Sequence, residues 1–597
     1  MNYFKTHNHE EFISEKRILA LQWAVFLFIA IVIGRLFYLQ VLEHDKYIVL
    51  AEKQSKSLNV IAPERGEIFA QADNKSEDNL YSLAVNQIFY QVYVDPEKVT
   101  RPQNIADLFV TIFSADKAEI LPKLEKSEDN YELIIKKASQ EQIDKLQAGV
   151  DQLLQETNVD KAKKDRVDSM GVYWKKEILR FYPDKEVGAQ MLGFLAPDEN
   201  GENQAGRYGL EAYWQKELAG SGEQILDDNN AKDSLLSDWK SQIEDGADLV
   251  LTIDKNIQYQ ACKALEKSVL RHGAKIGSAI VMESSTGAIK AMCNYPSFDP
   301  NKYNEVESID VYNNAAVYHN YEPGSVMKAI SMAIAIDLGQ VNANTTYNDT
   351  GEVKFGKRNI KNSDFKAHGI VNMTEVLVSS LNTGVVFATK DIKNKIYYEY
   401  LEKFGFGTPV GLKISQESQG NISSLKEKND IYRATASFGQ GVTVTPMQML
   451  NAFNVIADGG NLVQPYLVKE VKYPNGNQEK FEPKIIRQVI KESTAATLKG
   501  MLTQVVETGH SRYAAVKGYY VAGKTGTAEV ANPAGGYFHD KNIHTFIGFA
   551  PVDQPKFTIL TKLDYPTSAP FAESTAAPLF AEIAKFLLEY YQIAPTR

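Results

Sequence analysis

A serine followed three residues later by a lysine can supply a nucleophile and its base. The chain offers that pair five times, at Ser114, Ser237, Ser325, Ser363 and Ser423. A serine hydroxyl attacks a carbonyl carbon only when a base takes its proton. A lysine serves as that base only when burial and nearby positive charge lower its pKa. Ser114 lies in charged helical text, and Ser237, Ser363 and Ser423 lie in polar stretches. Ser325 differs, because in YEPGSVMKAISMAIAIDLG an apolar helical run starts directly after Pro323 and Gly324. The spacing predicts Ser325 in the first turn of a helix, where free N–H groups and the helix dipole favour negative charge. Lys328 then falls one turn on along the same face. An apolar helix would bury Lys328; the positive neighbour must come from elsewhere in the chain.

A second stretch, GYYVAGKT at 518–525, fits the phosphate-binding pattern G-x-x-x-x-G-K-[ST]. That chemistry needs a strand before the first glycine, a flexible loop between the glycines and a helix beginning at the lysine. Tyr519, Tyr520 and Val521 favour a strand where the loop should be. The following TGTAEVANPAGG has no helical period. A nucleotide is therefore not expected, and what survives is Lys524-Thr525-Gly526-Thr527 at the end of an edge-like strand. Between the two stretches, 55 residues after Ser325, stands Ser380-Leu381-Asn382. Ser-x-Asn alone is too common to count. Its weight comes from its order and spacing with the other two.

Composition excludes several classes. The chain has 597 residues, 44% of them hydrophobic, and a net charge of −10. The acidic balance argues against a nucleic-acid binder. Two cysteines, Cys262 and Cys293, build neither a disulfide framework nor a Cys-rich metal site, and whether they pair is left open. The nine histidines are scattered, and His539 with His544 sits in a Gly-rich turn where metal ligation is not expected.

ILALQWAVFLFIAIVIG, residues 18–34, is almost wholly apolar, and the run continues past Arg35 to residue 42. That length suits a tilted membrane span with Arg35 at its edge. No A-x-A cleavage site follows it, so a retained anchor is expected rather than a signal peptide. Basic residues flank both sides, and their count does not decide orientation.

Residues 43–100 read as β-like runs with turns and 104–165 as helical, with KAKKDR at 161–166 a solvated face. The text is irregular and Gly-rich from 180 to about 245. Beyond it DLVLTID reads as a strand, NIQYQACKALEKSVLRHG as a helix, and IGSAIVMESSTGAIKAMCNYP as a hairpin. A helical middle follows between 325 and 460. HTFIGFAP with FTILTKLDY forms a last hairpin, and AAPLFAEIAKFLLEYY a final amphipathic helix.

Taken together, RGEI (65–68), RFYP (180–183), GLE (209–211), LTIDKNIQ, YEPGSVMK, SFGQGVTVTPMQM, AGKTGTAE and FIGFAP resemble the class B penicillin-binding proteins, the D,D-transpeptidases of bacterial peptidoglycan synthesis. The resemblance implies an α+β chain. Residues 1–17 form a cytoplasmic tail, 18–42 an anchor and 43–245 an elongated mixed pedestal of dimerisation type. Residues 246–592 form a transpeptidase domain, an antiparallel sheet flanked by helices with an all-helical subdomain, and 593–597 a tail. It implies Ser325 as nucleophile, Lys328 as its base, and Ser380 with Lys524 as the proton path to the leaving D-Ala. Asn382, Thr525, Gly526 and Thr527 would bind substrate, with backbone N–H groups of Ser325 and Thr527 as the oxyanion hole. No metal, cofactor, nucleotide or nucleic acid is implied. Expected partners are peptidoglycan stem peptides, β-lactams, the membrane, a membrane glycosyltransferase and other division proteins. The implied place is the bacterial cytoplasmic membrane, N-terminus inside and catalytic domain outside.

The loop FAQADNKSEDN departs from the family's usual text after RGEI, and Ser-Leu-Asn replaces the commoner Ser-Ser-Asn. The absence of a long insertion before YEPGS resembles the division type. Two rival readings stand: a membrane-anchored β-lactam sensor or serine β-lactamase using the same triad, and a divisome scaffold with a secondary catalytic role.

Overall fold

The computed structural model of the chain describes residues 15–42, 59–61, 63–73, 76, 79–126, 129–159, 169–198, 204–222, 224–226, 244–355, 358–532 and 534–597. The KAKKDR run and Ser237 lie outside these. The chain divides into two compact units. The first comprises residues 1–63 and 221–244. Its helix Glu15–Phe37 continues as a π-helical turn, Tyr38–Leu42. The stretch Gln22–Gln40 has a mean hydropathy of 1.9 and is long and apolar enough to cross a membrane, as an anchor would. A short antiparallel pair, Asn59–Ile61 with Gln224–Leu226, belongs to the same unit.

The second unit holds residues 64–220 and 245–597. Its C-terminal half is built on a five-stranded antiparallel sheet in the order Ile289–Tyr295, Ile276–Glu283, Phe557–Asp564, Tyr537–Ala550, Ala522–Ala531. Side chains alternate across a strand, so the sheet serves two cores. Ile280, Ile547 and Leu560 face the core shared with the helix Met327–Asp337. Ala279, Val281, Phe546 and Ile559 face the core shared with Lys255–His272 and Ala576–Tyr590. Cys262 and Cys293 are joined, tying the helix Lys255–His272 to an outer strand of the sheet.

Residues 248–254 form the expected strand, but it lies in a different sheet. Asp248–Asp254 runs parallel to Ile68–Gln71, with Ile68 opposite Leu249, and antiparallel to Val468–Lys472. The sheet continues through Leu80–Val94, which carries Glu132–Ala138 and Val172–Phe181. At the far end of Leu80–Val94 a third core gathers Val92, Phe109, Leu146 and Val150 from the helices Pro102–Phe113 and Gln140–Asn158. The capping box Ser139/Gln142 starts the second of these helices.

Three sequence readings need correction. The strand Glu132–Ala138 interrupts the stretch expected to be helical, its text ELIIKKA being rich in helix formers that pairing with Leu80–Val94 overrides. The region expected to be irregular contains the pair Phe194–Pro197 with Gln204–Arg207 and two short helices, Gly209–Tyr213 and Gln215–Ala219. The subdomain expected to be all-helical carries a β-arm, in which Thr346–Asp349 pairs with Gly369–Asn372 and Glu352–Phe355 with Arg358–Lys361. Its strands are four residues each, so even the alternation in EVKF, with Val353 and Phe355 against the core, is too short to tell from a loop.

RGEI, RFYP and GLE meet in the second unit, where Glu211 is fully buried. Its carboxylate accepts from Arg65 at 2.6 and 2.8 Å, from Arg180 at 2.7 Å and from the Tyr182 hydroxyl at 3.2 Å. Burial alone would push this carboxyl up. The Arg180 and Arg65 guanidiniums outweigh it and hold the group below the usual range.

Candidate active site

The turn that carries Ser325 is set by its neighbours. Gly324 has φ +57°, and a 3₁₀ turn, Gly324–Val326, leads directly into Met327–Asp337. Ser325 is half-buried in that turn and Lys328 fully buried one turn on, as the spacing predicts. The edge strand Ala522–Ala531 passes beside it. A Cβ at Gly526 would come within 3.0 Å of the Pro323 carbonyl oxygen and 3.1 Å of Val326, so a larger residue would have to push the strand and the turn a few tenths of an ångström apart.

Ser380 arrives from the other side. The helix Met373–Val378 ends in a Schellman motif, with Leu381 N–H donating to Val376 O at 2.9 Å and Ser380 N–H to Leu377 O at 3.3 Å. The position that glycine usually fills is Ser380, at φ +54°. The turn brings both oxygens of Ser380 to the lysines. Lys328 Nζ lies 2.5 Å from the Ser380 carbonyl and 3.1 Å from its hydroxyl. Lys524 Nζ lies 3.1 Å from the same hydroxyl and 3.2 Å from the Thr525 carbonyl.

Lys328, Ser380 and Lys524 are thus in direct contact. The Ser325 hydroxyl makes no hydrogen bond to any of them among the described residues. Both lysines are buried, and neither has a carboxylate partner among the described residues. Burial brings Lys524 down to about 7. Burial first, and the charge of Lys524 second, hold Lys328 well below its ordinary range. A neutral amine beside a serine hydroxyl can take a proton, and a protonated one can return it.

The remaining expected residues have hydrogen-bond partners of their own. Asn382 opens the helix Asn382–Thr389 and donates from Nδ2 to the Lys361 carbonyl at 2.8 Å. Thr525 and Thr527 alternate with Lys524 to the opposite face of the strand. There Ser511 Oγ donates to Thr525 Oγ1 at 3.4 Å, and Ala572 N–H to Thr527 Oγ1 at 3.1 Å. His544, across from Thr527 in the register, is buried with Nδ1 2.9 Å from Thr575 Oγ1, and burial lowers it to about 4. Of the rival serines, Ser114 caps a helix C-terminus, Ser363 lies in an exposed turn and Ser423 in a surface 3₁₀ turn.

The strand near 518–525 starts later than its residues suggest. Gly518 to Tyr520 form a turn and the strand begins at Ala522. The C-terminal residues take up the backbone of that turn, since Thr596 and Arg597 N–H donate to Gly518 O and Thr596 Oγ1 accepts from Tyr520 N–H. Lys524 still lies within a strand and not at a helix start, so the nucleotide pattern has no phosphate cradle here. The sequence reading missed Glu322, which accepts from Gly441 N–H at 2.9 Å and the Tyr537 hydroxyl at 3.0 Å. It also missed the buried carboxylate of Asp349 behind Asn382. Neither stands in a recognisable spacing.

Residues 277–585 match the family described as Penicillin binding protein transpeptidase domain, and residues 60–251 match Penicillin-binding Protein dimerisation domain. The chain is 31% identical over 593 residues to stage V sporulation protein D of Bacillus subtilis, covering 98% of this chain and 87% of that protein. It is 27% identical over 598 residues to a peptidoglycan D,D-transpeptidase FtsI homolog of Mesostigma viride, covering 95% and 94%. The solved structure of penicillin binding protein 3 from Mycobacterium tuberculosis complexed with ampicillin superposes with a TM-score of 0.66 at 25% identity, over 90% of this chain and 97% of that one. With both domain families matched in order along one chain, and a relative of this identity spanning nearly all of it, the protein belongs to the class B penicillin-binding proteins and is a peptidoglycan D,D-transpeptidase.

Proposed function

We propose that the acyl-enzyme of this transpeptidase forms on Ser325, with Lys328 as its base. The observation that carries the reading is the Ser380 hydroxyl held 3.1 Å from each of two buried, low-pKa lysines beside the Ser325 turn. Ser325 Oγ attacks the carbonyl of the penultimate D-Ala while Lys328 accepts its proton. The tetrahedral oxyanion is met by the backbone N–H groups of Ser325 and Thr527. The C–N bond breaks as Ser380, between Lys328 and Lys524, passes a proton to the departing D-Ala. Thr525 and Thr527 hold the D-Ala carboxylate, Gly526 lets the strand reach the nucleophile, and Asn382 binds the donor amide. An amine of a second stem peptide then attacks the ester, forming the cross-link and freeing Ser325. A β-lactam enters by the same attack and leaves an ester.

The same reading places residues 18–42 in the cytoplasmic membrane with the catalytic unit outside, since stem peptides are found there. The Cys262–Cys293 bond agrees with an oxidising compartment. We assign septal synthesis, with a membrane glycosyltransferase and division proteins as partners, on the division-type spacing before YEPGS.

The experiment is intact-mass analysis of the full chain in detergent after benzylpenicillin, beside Ser325→Ala. A lasting adduct in the parent, absent in Ser325→Ala, is expected. An adduct that survives the substitution sinks Ser325 as nucleophile, and rapid return to the unmodified mass with drug consumed means a β-lactamase.

A further inference from the structure

Behind the Ser-Leu-Asn motif, the carboxylate of Asp349 is buried, with no lysine or arginine paired to it among the described residues. It ends the strand Thr346–Asp349 of the β-arm, far from any motif in the sequence. Its Oδ1 accepts from Gly351 N–H at 3.0 Å and from the Thr383 hydroxyl at 2.7 Å. Its Oδ2 accepts from Asn362 Nδ2 at 2.9 Å and from His368 N–H at 3.0 Å, and lies 2.8 Å from His368 Nδ1. The outer nitrogen of His368 faces Asp364 at 3.1 Å. A buried carboxylate is tolerated when donors fill its lone pairs, and here one side chain meets three residues of the arm, Gly351, Asn362 and His368, and one of a helix, Thr383.

That helix begins with Asn382. Thr383, the next residue, has three further contacts, its N–H donating to Asn362 Oδ1 at 3.2 Å, its Oγ1 lying 3.0 Å from the same oxygen, and the Tyr347 hydroxyl lying 3.1 Å from its Oγ1. Lys361, the neighbour of Asn362, supplies the carbonyl that orients the Asn382 amide. The residue pairs 361–362 and 382–383 are therefore stapled side by side, and Asp349 grips one member of each pair.

We propose that Asp349 is a positioning residue for Asn382, setting through Thr383 and Asn362 where the amide that receives the donor peptide stands. The inference rests on the reading of Asn382 as a substrate-binding residue. Asp349→Asn keeps the shape but puts an NH₂ where two or more donors already point, so the staple must shift. Misplacement of a binding group by less than an ångström slows the reaction without unfolding the domain.

The test measures the second-order acylation rate of the full chain in detergent by a fluorescent penicillin, resolved into affinity and first-order step. The variants are Asp349→Asn, Thr383→Val, Asn382→Ala and the double variants with Asn382→Ala. The expected result is a fall of about tenfold in Asp349→Asn, a smaller fall in Thr383→Val, and no further loss from either in the Asn382→Ala background. Equal losses in both backgrounds, or parent rates in Asp349→Asn and Thr383→Val, overturn the proposal. Should Asp349→Asn not fold, Thr383→Val with its double variant carries the comparison alone. A parent rate in Asn382→Ala fails the reading of Asn382 itself, and the proposal with it. A slowed Asn382→Ala beside an unslowed Asp349→Asn fails only the role of Asp349.

Discussion

Lys328 holds Ser380 by two atoms at once, its Nζ lying 2.5 Å from the carbonyl and 3.1 Å from the hydroxyl. The carbonyl contact anchors the amine so that its lone pair, when neutral, is directed by the fold. It also explains why a serine occupies a left-handed helix terminus at φ +54°, a conformation that costs a non-glycine residue roughly 1 kcal/mol. The strain is spent on bringing an O–H where glycine has none.

Ser380→Gly should therefore separate stability from chemistry. We expect it to raise the thermal midpoint, by the equivalent of about 1 kcal/mol, while slowing acylation by a β-lactam at least tenfold. Ser380→Ala should slow acylation equally without the gain. Differential scanning fluorimetry beside acylation kinetics checks both, and a destabilised Ser380→Gly would refute the account of the turn.

Acylation should weaken in acid. On the proposed mechanism a proton on Lys328 removes the base for Ser325, and the two lysines share the Ser380 hydroxyl, so they titrate as a pair. Lys524 is brought to about 7 by burial. The acylation rate constant should thus fall toward acid pH, and it should do so in Ser380→Ala as well. A rate that holds down to the pH at which the chain unfolds would exclude the lysine base.

The buried Glu211 should control acid stability of the second unit. Its folded pKa lies below the ordinary 4.5. Its contribution is then present in full above that value and lost as pH falls through the lower folded value. Glu211→Gln strands two guanidiniums, and we expect about 3–5 kcal/mol of destabilisation near pH 7. Chemical denaturation at pH 7 and pH 3.5 should show the gap between parent and variant narrowing at the lower pH.

Reduction of the Cys262–Cys293 bond, which spans 31 residues, should lower stability by about 2–4 kcal/mol. The expected sign is a lower thermal midpoint in reductant, with Cys262→Ala/Cys293→Ala matching the reduced parent and insensitive to it.

Much of the site was legible because its chemistry is local in sequence. Ser325 and Lys328 share one helical turn, and Lys524 to Thr527 share one strand, so type, spacing and flanking text together pointed to them. The hairpin around SSTG and the last helix carried clear periods for the same reason. The β-arm carried none, and its key residue, Asp349, meets Thr383 across 34 positions that no pattern marks. The turn at 518–521 misled because strand-forming tyrosines bond to the C-terminal residues, a tertiary effect outranking local preference. Glu211 could be found only as part of a family motif; nothing in GLE by itself says that two arginines from 146 and 31 positions away will enclose it.

The strand Asp248–Asp254 has a practical consequence for anyone dividing the chain. Its place in the sheet is between Ile68–Gln71 and Val468–Lys472. A catalytic fragment cut at residue 245 would lose the first of these neighbours. It would then expose a row of unpaired backbone groups flanked by Leu249, Leu251 and Ile253, a ready template for joining another chain edge to edge. Such fragments should precipitate or form strand-paired oligomers, whereas a chain retaining residues 64–220 keeps that edge covered.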